Sequence, residues 1–436
     1  MNLRDKNRVL GADNVYETTV QRRACPPLLE DSEAEVLVIG GGLAGLSTAL
    51  ELAELGPRVM LLEAGALCSE ASGRNGGQVL SGFACGAAWL QAKLGLETAQ
   101  QLWALSVRSI ERIRARLLAH AIDCGAVWSA ITVADRPAKV RQLQAEAELL
   151  SQHFGQDAAL VTGAAVRDWI DSPRYLAALP DPAAGHLNPL QYGLGLARAC
   201  LHAGVRLHEH SPALRLERQG PHWWVHTAQH RVRARQVVLA GNCGRLWHSP
   251  GLWPAANARI MPVGTYLIAT DPLPSDLATR LLPQRSAVCD NNFVLDYFRI
   301  SPEQRLLFGG RVSYTTATPA ALTASMHARM VRVFPDLATV PIAHTWGGFV
   351  DISRERAPDW ASPAPGLFLL QGFSGHGLAA TTLGAQVVAQ AIRGDDRLLQ
   401  AFARIRQAPF PGGPAWRVPL LVLGTLGLRV LDALGR

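Results

Sequence analysis

Residues 35–63 read EVLVIGGGLAGLSTALELAELGPRVMLLE, and the order of their parts decides the fold. The apolar run from Val36 to Ile39, after Glu35, suits a strand buried on both faces. It breaks at Gly40-Gly41-Gly42-Leu43-Ala44-Gly45, a G-x-G-x-x-G turn. A helical segment follows with small Ala49 and Ala53 at i, i+4 spacing, and Gly56-Pro57 stops it. A second apolar run, Val59 to Leu62, closes on Glu63. Each part has a task in holding a dinucleotide: Gly40 allows the tight turn, Gly42 lets backbone approach the pyrophosphate, and Gly45 lets helix and strand pack closely. The helix N-terminus offers unpaired N–H groups to the phosphates. Glu63, eighteen residues beyond Gly45, can accept hydrogen bonds from a ribose diol. A lone G-x-G-x-x-G is a weak signal; strand, turn, helix, strand and acid together are a strong one.

The chain's 436 residues leave room for two or three domains, and 48% hydrophobic with 18% charged residues is a globular composition. Formal net charge is +7, nearly all from arginine, since Lys6, Lys93 and Lys139 are the only lysines. No Lys/Arg block exceeds two residues, so the basic balance reads as solvated arginine and not as a nucleic-acid surface. Seven widely spaced cysteines without a C-x-x-C argue against a zinc ribbon and a disulfide framework, and fit a reducing compartment. The charged first thirty residues lack an apolar signal region, and Arg22-Arg23 precedes prolines and acids. The expected location is cytoplasmic.

Along the chain, 1–32 reads as an irregular arm. Segments 33–95, 185–259 and 365–408 carry the nucleotide-domain pattern. Segments 96–184 and 260–364 read as an inserted substrate domain, the first with amphipathic helices over 97–122 and 136–154. In 185–259, HLNPLQYGLGLARACLHAG is a helix entered through Asn188-Pro189, and VRLHEHSPALRLER, HWWVHTAQ and QVVLAG follow as strands. The expected class is α/β (α+β overall), with a Rossmann-like domain interleaved with an antiparallel-sheet domain. The tail, 409–436, is strongly apolar from Trp416 to Leu434. Between Arg417 and Arg429 lie only eleven uncharged residues, too few to span a bilayer. That leaves a helix packed on the protein or one lying at a membrane surface.

Two further glycine-rich stretches carry chemistry. Ser72-Gly73-Arg74-Asn75-Gly76-Gly77-Gln78 gathers small residues, backbone N–H groups and amides that can approach a planar ligand. Gly372-Phe373-Ser374-Gly375-His376-Gly377 sits between a buried strand and a helix, whose N-terminus would stabilise negative charge on a reduced flavin. Two such turns suit one extended ligand, and FAD has that length. A hydrolase elbow needs G-x-S-x-G, and position 376 is His. His222, His226 and His230 flank strand-like Trp223-Trp224-Val225, where four residues span about 13 Å. That is too far for one ion, so no metal is expected.

Together these residues resemble the FAD-dependent amine and amino-acid oxidoreductases of the D-amino-acid oxidase/glycine oxidase/sarcosine oxidase superfamily, with the gamma-glutamylputrescine oxidase branch the nearest likeness. The resemblance runs nearly full length, through GGGLAGLSTAL with Glu63, ASGRNGGQ, HLNPLQYGLGLA, NNFVLDYFRISPEQRLLFGGRVSY, WGGFVDISRERAP and QGFSGHGLAATTLGAQVVAQAI; Tyr16 and the Phe410–Gly413 FPGG fit it too. It implies hydride transfer from an amine-bearing carbon to flavin N5, hydrolysis of the imine, and return of electrons to O2 or another acceptor. Carried across, Gly40, Gly42, Leu43, Ala44, Gly45, Glu63 and Ala64 hold the ADP half. Ser72 to Gln78 run along pyrophosphate and ring, Ala213 and Gly241 touch the cofactor by backbone, and Gly372, Ser374, Gly375, His376 and Gly377 cap the pyrimidine edge. Tyr297, Arg299, Trp346 and His376 are the substrate candidates; Tyr297 and Arg299 share a strand face, and Arg299 is placed to take a carboxylate.

Some relatives attach flavin through a cysteine or activate oxygen with a lysine. Cys289 and the three lysines match no such context here, so FAD is expected to be non-covalent. Two functions follow from the resemblance: a soluble amine oxidase, gamma-glutamylputrescine or a related polyamine derivative being the favoured substrate, or an amino-acid dehydrogenase passing electrons to quinone through a membrane-facing tail.

Overall fold

In the computed structural model, which describes residues 3–313 and 321–411, strand Ser32–Ile39 lies inside an eight-stranded sheet. It pairs in parallel with Val59–Leu62 on one side and Arg231–Leu239 on the other, with Ile39 level with Leu62 and Leu239. Arg206–His208 extends the sheet beyond Val59–Leu62, and Leu367–Gln371 joins Arg231–Leu239 in parallel. Alternate residues serve two cores. Val36 and Val38 point into one with Leu46 and Leu383, while Leu37 and Ile39 point into another with Met60, Val237 and Leu369. The strand is therefore apolar throughout because both faces are covered.

Helix Leu43–Glu54 packs on Gly377–Ile392 and Pro189–His202, so the first, middle and last thirds of the chain meet in one layer. Asn188 caps Pro189–His202, its side chain accepting from the Leu190 and Gln191 N–H groups. Helix Leu96–Ala119, placed by sequence in the substrate domain, buries Leu102, Ile110 and Ile113 in this same core. Its stripe is apolar because it covers the nucleotide layer. Strand Asp359–Ala364 likewise belongs to the first sheet, antiparallel to Leu367–Gln371.

The second sheet has the order Ile342–Ser353, Ile260–Thr270, Leu306–Ser313, Tyr297–Ile300, Ala287–Asp290, Ala130–Ala134, Ala177–Asp181, Val161–Thr162. It is antiparallel except at Ala287–Asp290, which runs parallel to Ala130–Ala134. Phe298 and Phe308 stack at 5.4 Å beneath helix Leu322–Val333. Period-two alternation then sends Tyr297 and Arg299 to the opposite face, toward the first domain.

The arm is not irregular. Leu3–Leu10 is a helix and Val15–Thr19 a 3₁₀ turn whose N-cap is Asn14. The helix LRDKNRVL buries Lys6 and Asn7 beside Leu10, the Lys6 ammonium lying 5.4 Å from the Phe349 ring centroid and 5.9 Å from that of Tyr266. The apolar tail Trp416–Leu434 falls outside the described residues. Among the described residues no helix is long and apolar enough to cross a membrane.

Candidate active site

The glycine turns open on one cavity of about 900 Å³ between the sheets. At the first turn Gly40 has φ +114°, and a Cβ there would stand 2.7 Å from the Ala240 carbonyl oxygen. Leu43 N–H, at the head of its helix, donates to Ser72 Oγ at 2.9 Å. The Glu63 carboxylate accepts from Gly41 N–H at 2.6 Å and Gly65 N–H at 2.7 Å. Burial pushes its carboxyl above the usual range, and these two bonds pull it back.

At the second turn Ser374 has φ +55° between Gly372 at +79° and Gly375 at +85°. Its Oγ accepts from Ser353 N–H at 3.2 Å, and its own N–H donates to the Asp351 carbonyl at 3.0 Å. The buried Asp351 carboxylate accepts from the Gly372 and Phe373 N–H groups, the latter at 3.2 Å. Burial pushes this carboxyl up to about 6. His376, at the N-cap of Gly377–Ile392, bonds the Ser81 carbonyl through Nε2 at 2.8 Å, and burial lowers its pKa so that the imidazole is neutral.

The cavity wall includes Gly40, Gly42, Leu43, Ala44, Glu63 and Ala64 along the first turn, and Ser72, Arg74, Asn75, Gly76 and Gln78 along the loop. Ala213, Gly241, Tyr297, Ser374, Gly375, His376 and Gly377 complete the sequence candidates on it. Gly45, Gly73, Gly77 and Gly372 stand behind the wall, where a Cβ would meet Gly40 O at 1.8 Å, Cys68 O at 2.2 Å, Leu187 O at 2.1 Å and Asp359 N at 3.0 Å.

Two substrate candidates are not on the cavity. Arg299 and Trp346 share Tyr297's side of the sheet, yet loop 72–78 lies between them and the open space. Arg299 Nε donates to Gly76 O at 2.6 Å, and Trp346 Nε1 to Arg74 O at 3.0 Å. Strand parity gave the face correctly; what covers that face is tertiary. Tyr297 does reach the cavity, its ring seated against Gly309, where a Cβ would come within 2.1 Å. Burial raises its phenol well above the ordinary value, against a hydrogen bond with Thr265.

Several wall residues were missed. Asp351 and the rim residues Arg354, Glu355 and Arg356 lie in the WGGFVDISRERAP stretch, whose charged run was the available signal. Glu146 lies at the mouth on helix Pro137–His153, solvent-accessible yet walled in, and burial raises its carboxyl. Asn291 Nδ2 reaches Lys139 O at 2.9 Å, and the Arg356 guanidinium sits 5.3 Å from the Phe293 ring centroid. Helix, loop 291–296 and rim therefore meet. Phe83 and Trp89 add aromatic wall.

The residues present fit FAD. Glycines without room for a Cβ line a long cavity, two helix N-termini meet it, and buried Arg245 on its wall has Nε and Nη1 hydrogens with no acceptor among the described residues. Residues 35–391 match the FAD dependent oxidoreductase family. The chain belongs to this family. It is 34% identical over 408 residues to the gamma-glutamylputrescine oxidoreductase of Escherichia coli, covering 94% of this chain and 95% of that one. It is 35% identical to a probable oxidoreductase, OrdL, of Haemophilus influenzae, covering 89% of each. The fold is shared with the L-proline dehydrogenase of P. horikoshii (TM-score 0.71, 19% identity, 87% and 100% covered). Glycine oxidase from Bacillus cereus is similar as well (TM-score 0.69, 20% identity, 84% and 98% covered). This oxidoreductase is thus an FAD-dependent enzyme.

Proposed function

We propose that the enzyme oxidises the amine end of a long aliphatic substrate with a charged far end, of the gamma-glutamylputrescine kind, and that O2 is the final electron acceptor. The supporting observation is a cavity with an aromatic inner wall (Phe83, Trp89, Tyr297) and charges of both signs at its mouth (Glu146, Arg354, Arg356). The near full-length likeness to gamma-glutamylputrescine oxidoreductase agrees with it. FAD held along the glycine turns would supply the two-electron acceptor.

The protein's own residues do the rest. The apolar wall excludes water and disfavours the ammonium form of the substrate, which must lose a proton before the C–H bond can give up hydride. His376, neutral and on the wall, is suited to receive that proton at a ring nitrogen. At the mouth, Arg356 would take a carboxylate and Glu146 an ammonium of the far end.

The test is anaerobic addition of an amine panel to the purified yellow enzyme. Flavin absorbance should bleach with gamma-glutamylputrescine and return in air with release of hydrogen peroxide; no bleaching by any amine in the panel would sink the proposal. Arg356→Ala should raise KM for the carboxylate-bearing amine about tenfold, a loss of about 1.4 kcal/mol, while leaving kcat and the KM of an unsubstituted diamine unchanged. Equal KM changes for both amines would remove Arg356 from this role.

The apolar Trp416–Leu434 sequence favours a second reading, in which electrons pass to membrane quinone. Bleaching that persists in air and reverses with a quinone, together with co-sedimentation with membranes lost on deleting 416–436, would select it. Under the first reading the enzyme works in the cytoplasm.

A further inference from the structure

Five consecutive carbonyl oxygens of loop 73–77 are each engaged by a donor outside the cavity wall. Asn14 Nδ2 donates to Gly73 O at 2.9 Å, Trp346 Nε1 to Arg74 O at 3.0 Å, and the Tyr16 hydroxyl to Asn75 O at 2.9 Å. Arg299 Nε donates to Gly76 O at 2.6 Å and Leu187 N–H to Gly77 O at 3.0 Å. The N–H groups of Asn75 and Gly76, two residues on the cavity wall, have no acceptor among the described residues. The loop thus keeps its carbonyls on one side and leaves donors for a ligand on the other.

Arg299 brings more than a hydrogen bond to this arrangement. It is 1% exposed, its Nη2 donates to the Tyr16 hydroxyl at 3.1 Å, and its Nη1 has no acceptor among the described residues. Among the described residues no carboxylate stands within ion-pair distance of it. Its neighbours do not compensate. Burial raises the Tyr16 phenol, which stays neutral, and burial together with the Arg299 charge pushes His186 down to about 3. A buried charge without a counter-ion is strongly destabilising, so its presence calls for a partner.

We propose that Arg299, held in place by Tyr16 behind loop 73–77, is the electrostatic partner of the bound flavin, stabilising the negative charge that the cofactor gains on reduction. Two electrons and one proton taken from the substrate leave one added negative charge. A cation whose Nε bonds the carbonyl of Gly76, a residue of the cavity wall, acts on it through a poorly screening interior. Arg299 is a positioning residue for the loop and an electrostatic one for the cofactor. The inference needs FAD in the cavity but no particular amine, so failure of the substrate proposal leaves it standing.

The test is potentiometric titration of the flavin in the purified holoenzyme, beside FAD dissociation followed by flavin fluorescence. Arg299→Gln keeps a donor and removes the charge. It should weaken the hold on reduced relative to oxidised flavin at least tenfold, a midpoint lower by about 30 mV for a two-electron couple. Arg299→Lys keeps the charge and Tyr16→Phe keeps the arginine. Both should release FAD more readily yet change that ratio by no more than about twofold, about 9 mV. A wild-type potential in Arg299→Gln overturns the proposal. So does a tenfold fall in Arg299→Lys or Tyr16→Phe, which decides the matter even if the glutamine variant does not fold.

Discussion

Gly45→Val is expected to purify without flavin and with lowered thermal stability. A Cβ at position 45 would sit 1.8 Å from the Gly40 carbonyl oxygen and 3.3 Å from Val38 Cγ1. The closer obstacle is backbone, so no rotamer change relieves it. Helix Leu43–Glu54 must move off strand Ser32–Ile39, and both are buried in the core that also holds Leu46 and Leu50. Overpacking of this kind costs about 1–3 kcal/mol or more, and it opens the turn that places Gly42 on the cavity wall. The ratio of flavin to protein absorbance should fall about tenfold, corresponding to about 1.4 kcal/mol of lost affinity under limiting FAD. Gly45→Ala should show the same effect in weaker form. A valine variant that keeps full flavin content and the wild-type Tm would contradict the close packing.

Asp351→Leu should have the second-largest effect. It leaves the Gly372 and Phe373 N–H groups buried without their acceptor, at about 1–3 kcal/mol each. It also frees the turn that enters helix Gly377–Ile392, so flavin should be lost as well as stability. The milder Asp351→Asn isolates the charge. Because the folded carboxyl is raised from 3.8 to about 6, the native state binds its proton more tightly than the unfolded chain does. Stability from this group is full below about pH 4 and is lost as pH rises through about 6, by roughly 3 kcal/mol in all. Buried Asp290 is raised to about 6 in the same way, so the informative quantity is the difference between variants. Wild type should lose stability relative to Asp351→Asn between pH 4 and 6.5 in thermal melts. Parallel melting curves across that window would mean that Asp351 does not titrate as its burial requires.

How far the site could be read from sequence depended on whether a role resides in backbone or in side-chain surroundings. Glycine turns are local: φ at Gly40 and the acid that bonds Gly41 lie within one strand-turn-helix-strand unit, and their spacing carries the meaning. Tyr297 and Arg299 show the limit. Alternation placed both on one face, and both meet the loop, but only Tyr297 looks past it into the cavity. Arg299 resembled a carboxylate binder because its chemistry is the same whether it faces a substrate or a row of carbonyls. The arm was opaque for a related reason. A helix whose buried face is built partly of a lysine over two aromatic rings, with Asn7, reads as polar when only apolar residues are counted.

The sequence by itself determined the dinucleotide turn, the interleaving of two sheets, the helix entry at Asn188, and the family, because each depends on short-range spacing, period or motif. Tertiary structure alone decided that helix Leu96–Ala119 covers the nucleotide layer, that Asp351 fastens the second glycine turn, and that the N-terminal arm, Arg299 and Trp346 hold loop 73–77 from behind. Those contacts join residues dozens to hundreds of positions apart, such as Arg299 and Tyr16, 283 residues distant, and nothing in a local pattern encodes the partner. Burial of a charge without a counter-ion, as at Arg299 among the described residues, becomes visible only when every neighbour is in place.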